Sequence, residues 1–300
     1  MEYKQYSLEY SSRVVDLLNL CFPDKKINKR SFIWKHFDEY FKNKSLGMVA
    51  IDNHTVCAFV CFTPLAIEDP QSKDRVFYSC AVQATHPSYR RRGLVTHLTQ
   101  MLEKVISPNA SYLGFSNEDG VKIDKFSQKI NYQILGQLTS KYVVSLPYST
   151  NIQVVPFDKI PENFSHQSRF FQIKPSLDYL EWRYLHNPKA LYKCFVLVRQ
   201  SSILGYIFCK DGKMKYSVYS LILAKQTPRD YYSAIKAFAR YSLSQGKLIT
   251  SYSYLSNTFW HHAFPMISFR KNIGIYFTIK SRAVDVLRVD NWLIQGGDIQ

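Results

Sequence analysis

The residues best placed to do chemistry lie in one stretch, Ala84-Thr85-His86-Pro87-Ser88-Tyr89-Arg90-Arg91-Arg92-Gly93-Leu94-Val95-Thr96. An apolar run from Phe77 to Thr85 enters it with strand-forming residues. A helical pattern leaves it, with Leu94, Leu98, Met101 or Leu102, and Val105 recurring at spacings of three and four. The basic turn between them holds a single glycine, so the first amides of the helix face whatever sits in the turn. Free N–H groups at a helix start, beside three arginines, suit a diphosphate.

Arg90, Gly93 and Val95 resemble the acyl-coenzyme A loop of the GNAT acyltransferase superfamily, which reads Gln or Arg, two residues, Gly, one residue, then Gly or Ala. Val95 departs from that pattern, since the family has a small residue there. The resemblance implies that Arg90, Arg91, Arg92, Gly93, Leu94, Val95 and Thr96 cradle the diphosphate of an acyl-coenzyme A. It implies also that the backbone at Gln83, Ala84 and Thr85 pairs with the pantetheine and offers an amide to the thioester carbonyl, making Thr85 a candidate catalytic position. Asn117, at the end of a strand, is placed to touch the pantetheine or to cap the next helix.

Acyl transfer to an amine needs a neutral amine, a donor for the oxyanion and a proton for the leaving thiolate. Many relatives supply that proton from a tyrosine in a segment like Phe-Tyr-Glu-Lys-Leu-Gly-Phe. This chain reads Phe126-Ser127-Gln128-Lys129-Ile130-Asn131-Tyr132, with Ser127 in the tyrosine's place. No Asp or Glu lies between Phe77 and Thr85 to act as base. Deprotonating a lysine-like amine of pKa ~10.4 at pH 7 costs roughly 4.6 kcal/mol, against about 1 kcal/mol for an amine near ~7.7. A site without a carboxylate base suits the second kind, and amino-sugar amines belong there. His36, His86, His261 and His262 are the remaining candidate proton acceptors; His86, ahead of Pro87 in the turn, reads as structural.

The elements that hold these residues come twice. Phe32-Ile33-Trp34-Lys35-His36, followed by two apolar runs around Asn53-His54, matches Leu180-Glu181-Trp182-Arg183-Tyr184, followed by two apolar runs around Gln200-Ser201. The offset is 148 at the tryptophans and 147 at the hairpins, so one supersecondary unit is used twice. A helix capped near Ser11 or Ser12 carries Val14, Leu17, Leu18 and Cys21 on one side. A strand is expected at Tyr112 to Phe115, a helix after Asp119, and a strand at Leu138 to Leu146. Pro147 to Pro161 reads as the join, and Leu177 to Leu185 opens the second unit. Two units are therefore expected, residues 1–148 and 149–300, of α/β class, each a mixed twisted sheet flanked by helices. In the second, Ser217 to Ala224 leads into Lys225-Gln226-Thr227-Pro228-Arg229-Asp230 and a helix with Ile235, Phe238, Ala239 and Leu243. That turn has no glycine, and Pro228 removes a backbone donor. The second unit is expected to keep the fold without the diphosphate loop.

The chain has 300 residues, 46% hydrophobic and 15% aromatic, as globular proteins do, and a formal net charge of +16. Its basic residues are scattered, which favours discrete phosphate sites over a continuous nucleic-acid track. Six cysteines without a CxxC pair read as reduced core residues, and neither a signal peptide nor a membrane span is evident. These features point to the cytoplasm, with no metal, no nucleic acid and no membrane insertion, in a monomer or homodimer.

The finer resemblance is to GNAT proteins found with bacterial surface-polysaccharide genes. It rests on Trp34-Lys35-His36, Thr85-His86-Pro87-Ser88-Tyr89-Arg90 and Ser116-Asn117-Glu118. In the second half it rests on Trp182-Arg183-Tyr184-Leu185-His186-Asn187-Pro188 and the ending Asp290 to Asp298. It implies a tandem N-acyltransferase that moves an acetyl or short hydroxyacyl group, such as 3-hydroxybutyryl, to the amine of a nucleotide-linked amino sugar. Trp34, His36, Tyr184, Trp260 and His261 are the candidate substrate contacts. A peptide or antibiotic N-acetyltransferase and a non-catalytic RNA-binding module are the alternatives.

Overall fold

Two tight turns at matching places in the chain set the architecture. Asn53 and His54 have φ of 43° and 66°, and Gln200 and Ser201 have 48° and 65°. Two consecutive left-handed residues are the turn that lets twisted antiparallel strands close a two-residue hairpin. The hairpins are β2 (Leu46–Asp52) with β3 (Thr55–Glu68), and β9 (Lys193–Arg199) with β10 (Ser202–Asp211). Their apolar runs are buried almost throughout, as expected of strands covered on both faces.

The computed structural model describes residues 1–300 except 42–43, 108, 118–130, 162–165, 266 and 299–300. The first half adds β1 (Glu2–Gln5), α1 (Ser11–Cys21), α2 (Lys29–Phe37), β4 (Asp74–Thr85), α3 (Leu94–Ile106), β5 (Ser111–Asn117) and β6 (Gln133–Val144). The second adds β7 (Gln153–Pro156), the two-residue β8 (Gln172–Ile173), α4 (Leu177–Leu180) running into a π-turn (Glu181–Leu185), β11 (Lys215–Leu223), α5 (Pro228–Ser244), β12 (Ile249–Leu255), α6 (Thr258–His261) and β13 (Ser268–Lys280). The helix expected after Asp119 lies outside the described residues. At α1 the cap differs from expectation: Tyr10 takes the cap position, and Ser11 instead donates to the Leu8 carbonyl at 2.6 Å. The expected join also contains a strand, since β7 pairs antiparallel with β9.

One mixed sheet runs through the molecule in the order β1-β2-β3-β4-β5-β13-β6-β12-β11-β10-β9-β7, with β8 on β3. The halves exchange their last strands across its middle. β13 of the second half lies beside β5 of the first (Phe277 opposite Phe115), and β6 of the first lies beside β12 of the second (Ser251 opposite Tyr142). The core follows the exchange. Phe77 of β4, Phe277 of β13 and Trp292 near the C-terminus meet edge to face, with ring centroids 5.1 to 5.7 Å apart. The Trp292 indole donates to the Val286 carbonyl at 2.8 Å, so this large ring is buried without an orphaned donor. α3 lies on the first half's hairpin through Leu94, Leu98 and Leu102, spaced by one helical turn, and α5 lies on the second through Ile235 and Phe238.

Candidate functional site

β4 and β5 run parallel for three residue pairs, Phe77 with Ser111, Tyr78 with Tyr112 and Ser79 with Leu113, and then part. Beyond Ser79, β4 keeps its ladder to β3 alone, with a bulge opposite Cys61 and Phe62. The backbone of Gln83, Ala84 and Thr85 therefore has no strand partner on the β5 side among the described residues. The Thr85 carbonyl accepts from the Cys21 thiol at 3.3 Å, and the Gln83 side chain turns back to the Cys80 sulfur at 2.8 Å.

This opening leads into the basic turn. His86 accepts from the Ser88 amide, and Tyr89 donates to Asp52 at 2.9 Å, which pins the turn to the hairpin. Arg92 lies over the Tyr89 ring at 4.8 Å, while Arg90 and Arg91 are exposed. Arg91 and Gly93 are left-handed, with φ of 65° and 74°. Gly93 is the helix cap and offers no side chain, no acidic residue stands in the first turn of α3, and the first intrahelical donor is His97. The Leu94, Val95 and Thr96 amides thus have no partner among the described residues, and a Cβ at Gly93 would meet nothing within 4 Å. The place is open and electropositive, and it fits an anion. Val95 packs its side chain into the cluster under α3, away from the exposed amides.

The second half has the same parting and closes it. β11 and β12 pair from Lys215 with Ile249 to Val218 with Tyr252, then separate. The chain's own C-terminal segment enters the gap. The Gln295 side chain accepts from Leu221 N at 2.8 Å and donates to Leu221 O at 3.0 Å, and Leu255 N donates to Ile294 O at 2.9 Å. Gly297 is required here, because a Cβ would come within 2.0 Å of the Tyr184 hydroxyl oxygen. The helix start is closed as well. Thr227 caps α5 by accepting from the Asp230 amide, Asp230 puts a carboxylate in the first turn, and Pro228 contributes no donor.

Between the halves lies a groove of about 630 Å³, lined by Arg30, Trp34, Asp38, Glu39, Tyr40 and, from the second half, Asp178, Glu181, Trp182, His186 and Pro188 among others. Most of its positions are partners at the 148-residue offset: 30 with 178, 34 with 182, 38 with 186, 40 with 188. Trp34 stacks on Trp182 at 4.9 Å, and Tyr40 stacks on Trp182 at 4.8 Å. The groove is acidic in a strongly basic chain. Beside it, Lys25, Lys35 and Lys189 stand close enough to act on one another, and burial with these neighbours pulls Lys35 down to about 7.

Of the expected substrate contacts, Trp34 lies in the groove and the others do not. His36 is 2% exposed and packs on Phe32, one turn away on the same helix face; burial holds its imidazole well below the usual range, hence neutral. Tyr184 is 3% exposed and stacks on Phe208 at 4.2 Å, so it is core. Trp260 is 2% exposed, enclosed by Tyr231, Tyr254 and Phe264. His261 is exposed at the end of α6 and lines no part of the groove. Asn117 ends β5, paired with Ile275 of β13. Ser127 lies outside the described residues. Two features escaped the sequence reading. Gln295 carries no local signal, because its role exists only where two distant strands part. Lys35 did carry one: with Phe32 and His36 sharing the buried face of α2, its neighbour had to point elsewhere.

Residues 2–110 match the acetyltransferase (GNAT) domain family. The resemblance of this part of the chain, β1 through α3, is to a GNAT acetyltransferase domain. The search of curated proteins gave no match. Among solved structures, a conserved protein of Enterococcus faecalis V583 shares the fold at TM-score 0.67 and 11% identity, over 93% of this chain and 72% of that one. A GCN5-related N-acetyltransferase of Anabaena variabilis ATCC 29413 does so at 0.66 and 11%, over 94% and 74%. A tandem GNAT protein from the clavulanic acid biosynthesis pathway does so at 0.60 and 10%, over 93% and 98%. Among the described residues no cluster of His, Cys, Asp and Glu could hold a metal ion, and no helix is long and apolar enough to cross a membrane.

Proposed function

We propose that the chain binds one acyl-coenzyme A, in the first half, and transfers an acetyl or short hydroxyacyl group to the amine of a nucleotide-linked amino sugar. One observation carries the single site: the first parting of strands is open and leads to a bare helix start, whereas the second is filled by residues 292–298 and capped by Thr227. In this reading the backbone of Gln83, Ala84 and Thr85 pairs with the pantetheine. The diphosphate rests on the Leu94, Val95 and Thr96 amides, with Arg90 and Arg91 beside it. Gly93 leaves the approach clear.

The acceptor enters through the groove. The Trp34 and Tyr40 rings offer a surface for the apolar face of a sugar, and the Asp38 and Glu39 carboxylates accept from its hydroxyl and ammonium groups. Lys189 follows Pro188 at the groove wall and, with Lys25, supplies cations for a diphosphate linkage. The four carboxylates favour a second reading, in which the acceptor is a free cationic amine of a peptide or antibiotic.

Calorimetric titration with acetyl-coenzyme A is expected to give one site per chain. Thiol release would then be followed for dTDP- and UDP-amino sugars and for free aminoglycosides and peptides, with acetyl- and 3-hydroxybutyryl-coenzyme A. Turnover of the nucleotide sugars alone supports the first reading. Turnover of the free amines alone establishes the second, and two equivalent binding sites would remove the single-site assignment.

A further inference from the structure

Residues 149–300 hold 20 of the 39 lysines and arginines but only 9 of the 23 aspartates and glutamates. Most of the excess positive charge therefore lies in the half whose diphosphate turn is closed. Part of it borders a cavity of about 620 Å³ at the start of α5, lined by Thr227, Pro228, Arg229, Tyr232, Ser233 and His262. That volume is in the range of small-molecule sites. No carboxylate lines the cavity, and it shares no residue with the groove between the halves or with the basic turn.

The start of α5 is capped, so side chains and not bare amides give this cavity its character. Asp230 N donates to the Thr227 hydroxyl oxygen at 3.2 Å, and Tyr231 N donates to the Thr227 carbonyl at 3.1 Å. Arg229, Tyr232 and Ser233, three and four residues apart, share one face of the helix. Lys236 follows a turn later, its Nζ 5.4 Å from the ring centroids of Tyr232 and Tyr148. His262, just past α6, completes the lining. The Arg229 guanidinium and the His262 imidazole make no hydrogen bond or ion pair among the described residues. Asp230 stands outside the lining, where it accepts from the Thr227 hydroxyl at 2.5 Å. The Ser233 hydroxyl donates to the Arg229 carbonyl at 2.9 Å, which leaves its oxygen free to accept.

These groups divide by chemistry. The planar fork of Arg229 suits a phosphate, with the His262 ring as a further donor. The Tyr232 ring, exposed beside Lys236, and the Pro228 ring offer a flat apolar surface on which a base can lie. The Ser233 oxygen accepts from a hydroxyl such as a ribose carries. We infer that this cavity binds a nucleoside monophosphate, at a site separate from the acyl-coenzyme A turn and from the acceptor groove. The site goes beyond the function proposed above and does not depend on it. Inorganic phosphate would meet Arg229 and His262 alone, and a nucleoside would meet the rings and Ser233 alone.

Calorimetry on the full chain saturated with acetyl-coenzyme A tests the site. The probe is uridine monophosphate, which lacks the adenine of coenzyme A. One molecule per chain is expected to bind, with the affinity for acetyl-coenzyme A, titrated separately, unchanged. Uridine and inorganic phosphate should each bind about 10-fold more weakly or worse, since each makes only part of the contacts. Arg229→Ala should weaken uridine monophosphate about 10-fold or more, as loss of a charge-assisted pair does, and Tyr232→Ala about 10-fold, as loss of a stacked base does. Both positions are exposed, so both variants should fold and keep acetyl-coenzyme A binding. No heat with millimolar uridine monophosphate, or binding untouched by Arg229→Ala, overturns the inference. Displacement of acetyl-coenzyme A by the probe would put the nucleotide in the first half and overturn it as well. Inorganic phosphate or uridine bound as tightly as the nucleotide would overturn the assignment of a nucleoside monophosphate. If acetyl-coenzyme A itself gives no heat, the acyl-coenzyme A site falls, and uridine monophosphate titrated alone still decides this one.

Discussion

Gly93 holds the left-handed turn at φ 74° in open space, so conformation and access can be separated there by substitution. Alanine would add a Cβ that touches nothing and is strained only by the positive φ, at about 1 kcal/mol. Aspartate would add a carboxylate among the Leu94, Val95 and Thr96 amides, where it satisfies the donors and repels a diphosphate. Calorimetry should find coenzyme A binding weakened in Gly93→Ala and abolished in Gly93→Asp, with both variants folded by circular dichroism. Equal loss in both would mean that shape, not charge, governs the turn. At this scale the turn was legible in the sequence, because the order of arginines, glycine and apolar residues is itself the local structure. Tyr184, Trp260 and His36 were misplaced for the opposite reason. An aromatic or imidazole on a short helix reads alike whether it faces a cleft or a core, and only packing against Phe208, Tyr254 or Phe32 separates the two.

Among the elements, the hairpins, β4, α3 and α5 followed from periodicity, since each buries a face set by its own residues. The fate of the two partings did not, because strands that separate in space leave no mark in their own residues. Gln295 shows what the second one holds. Its side chain accepts from the Leu221 amide and donates to the Leu221 carbonyl, which also accepts from the Tyr231 hydroxyl at 3.3 Å. Gln295→Leu keeps the volume and removes both bonds, and the buried Leu221 amide left without its acceptor should cost roughly 1–3 kcal/mol. Denaturant unfolding should show the loss, while coenzyme A binding in the first half stays as it was. A variant as stable as the parent would mean that residues 292–298 merely lie over the gap. Retained stability together with a second coenzyme A site would mean that Gln295 stands in for a ligand that the second half still accepts.

In the whole molecule the repeat and the exchange of strands act together. The repeat brings Trp34 onto Trp182, so the groove is lined from both halves where they meet. The exchange makes that meeting obligatory. Without β13 the fragment 1–148 would leave β5 without its partner beyond β4 and expose both edges of β6, the long unpaired edges that recruit other chains. Phe77 and Phe115 would also lose Phe277 and Trp292, rings worth about 3–5 kcal/mol each when truncated from a core. The fragment 1–148 should therefore be recovered as oligomers or aggregate on sizing with light scattering, and should bind no acetyl-coenzyme A as a monomer, although it contains the entire basic turn. Adding the separate fragment 149–300 during refolding should restore a one-to-one complex and its binding, because each half carries the strand that the other lacks. A monomeric, binding-competent 1–148 would show that β6 can fold back beside β5 unaided, and that the exchanged strands join two units already stable alone.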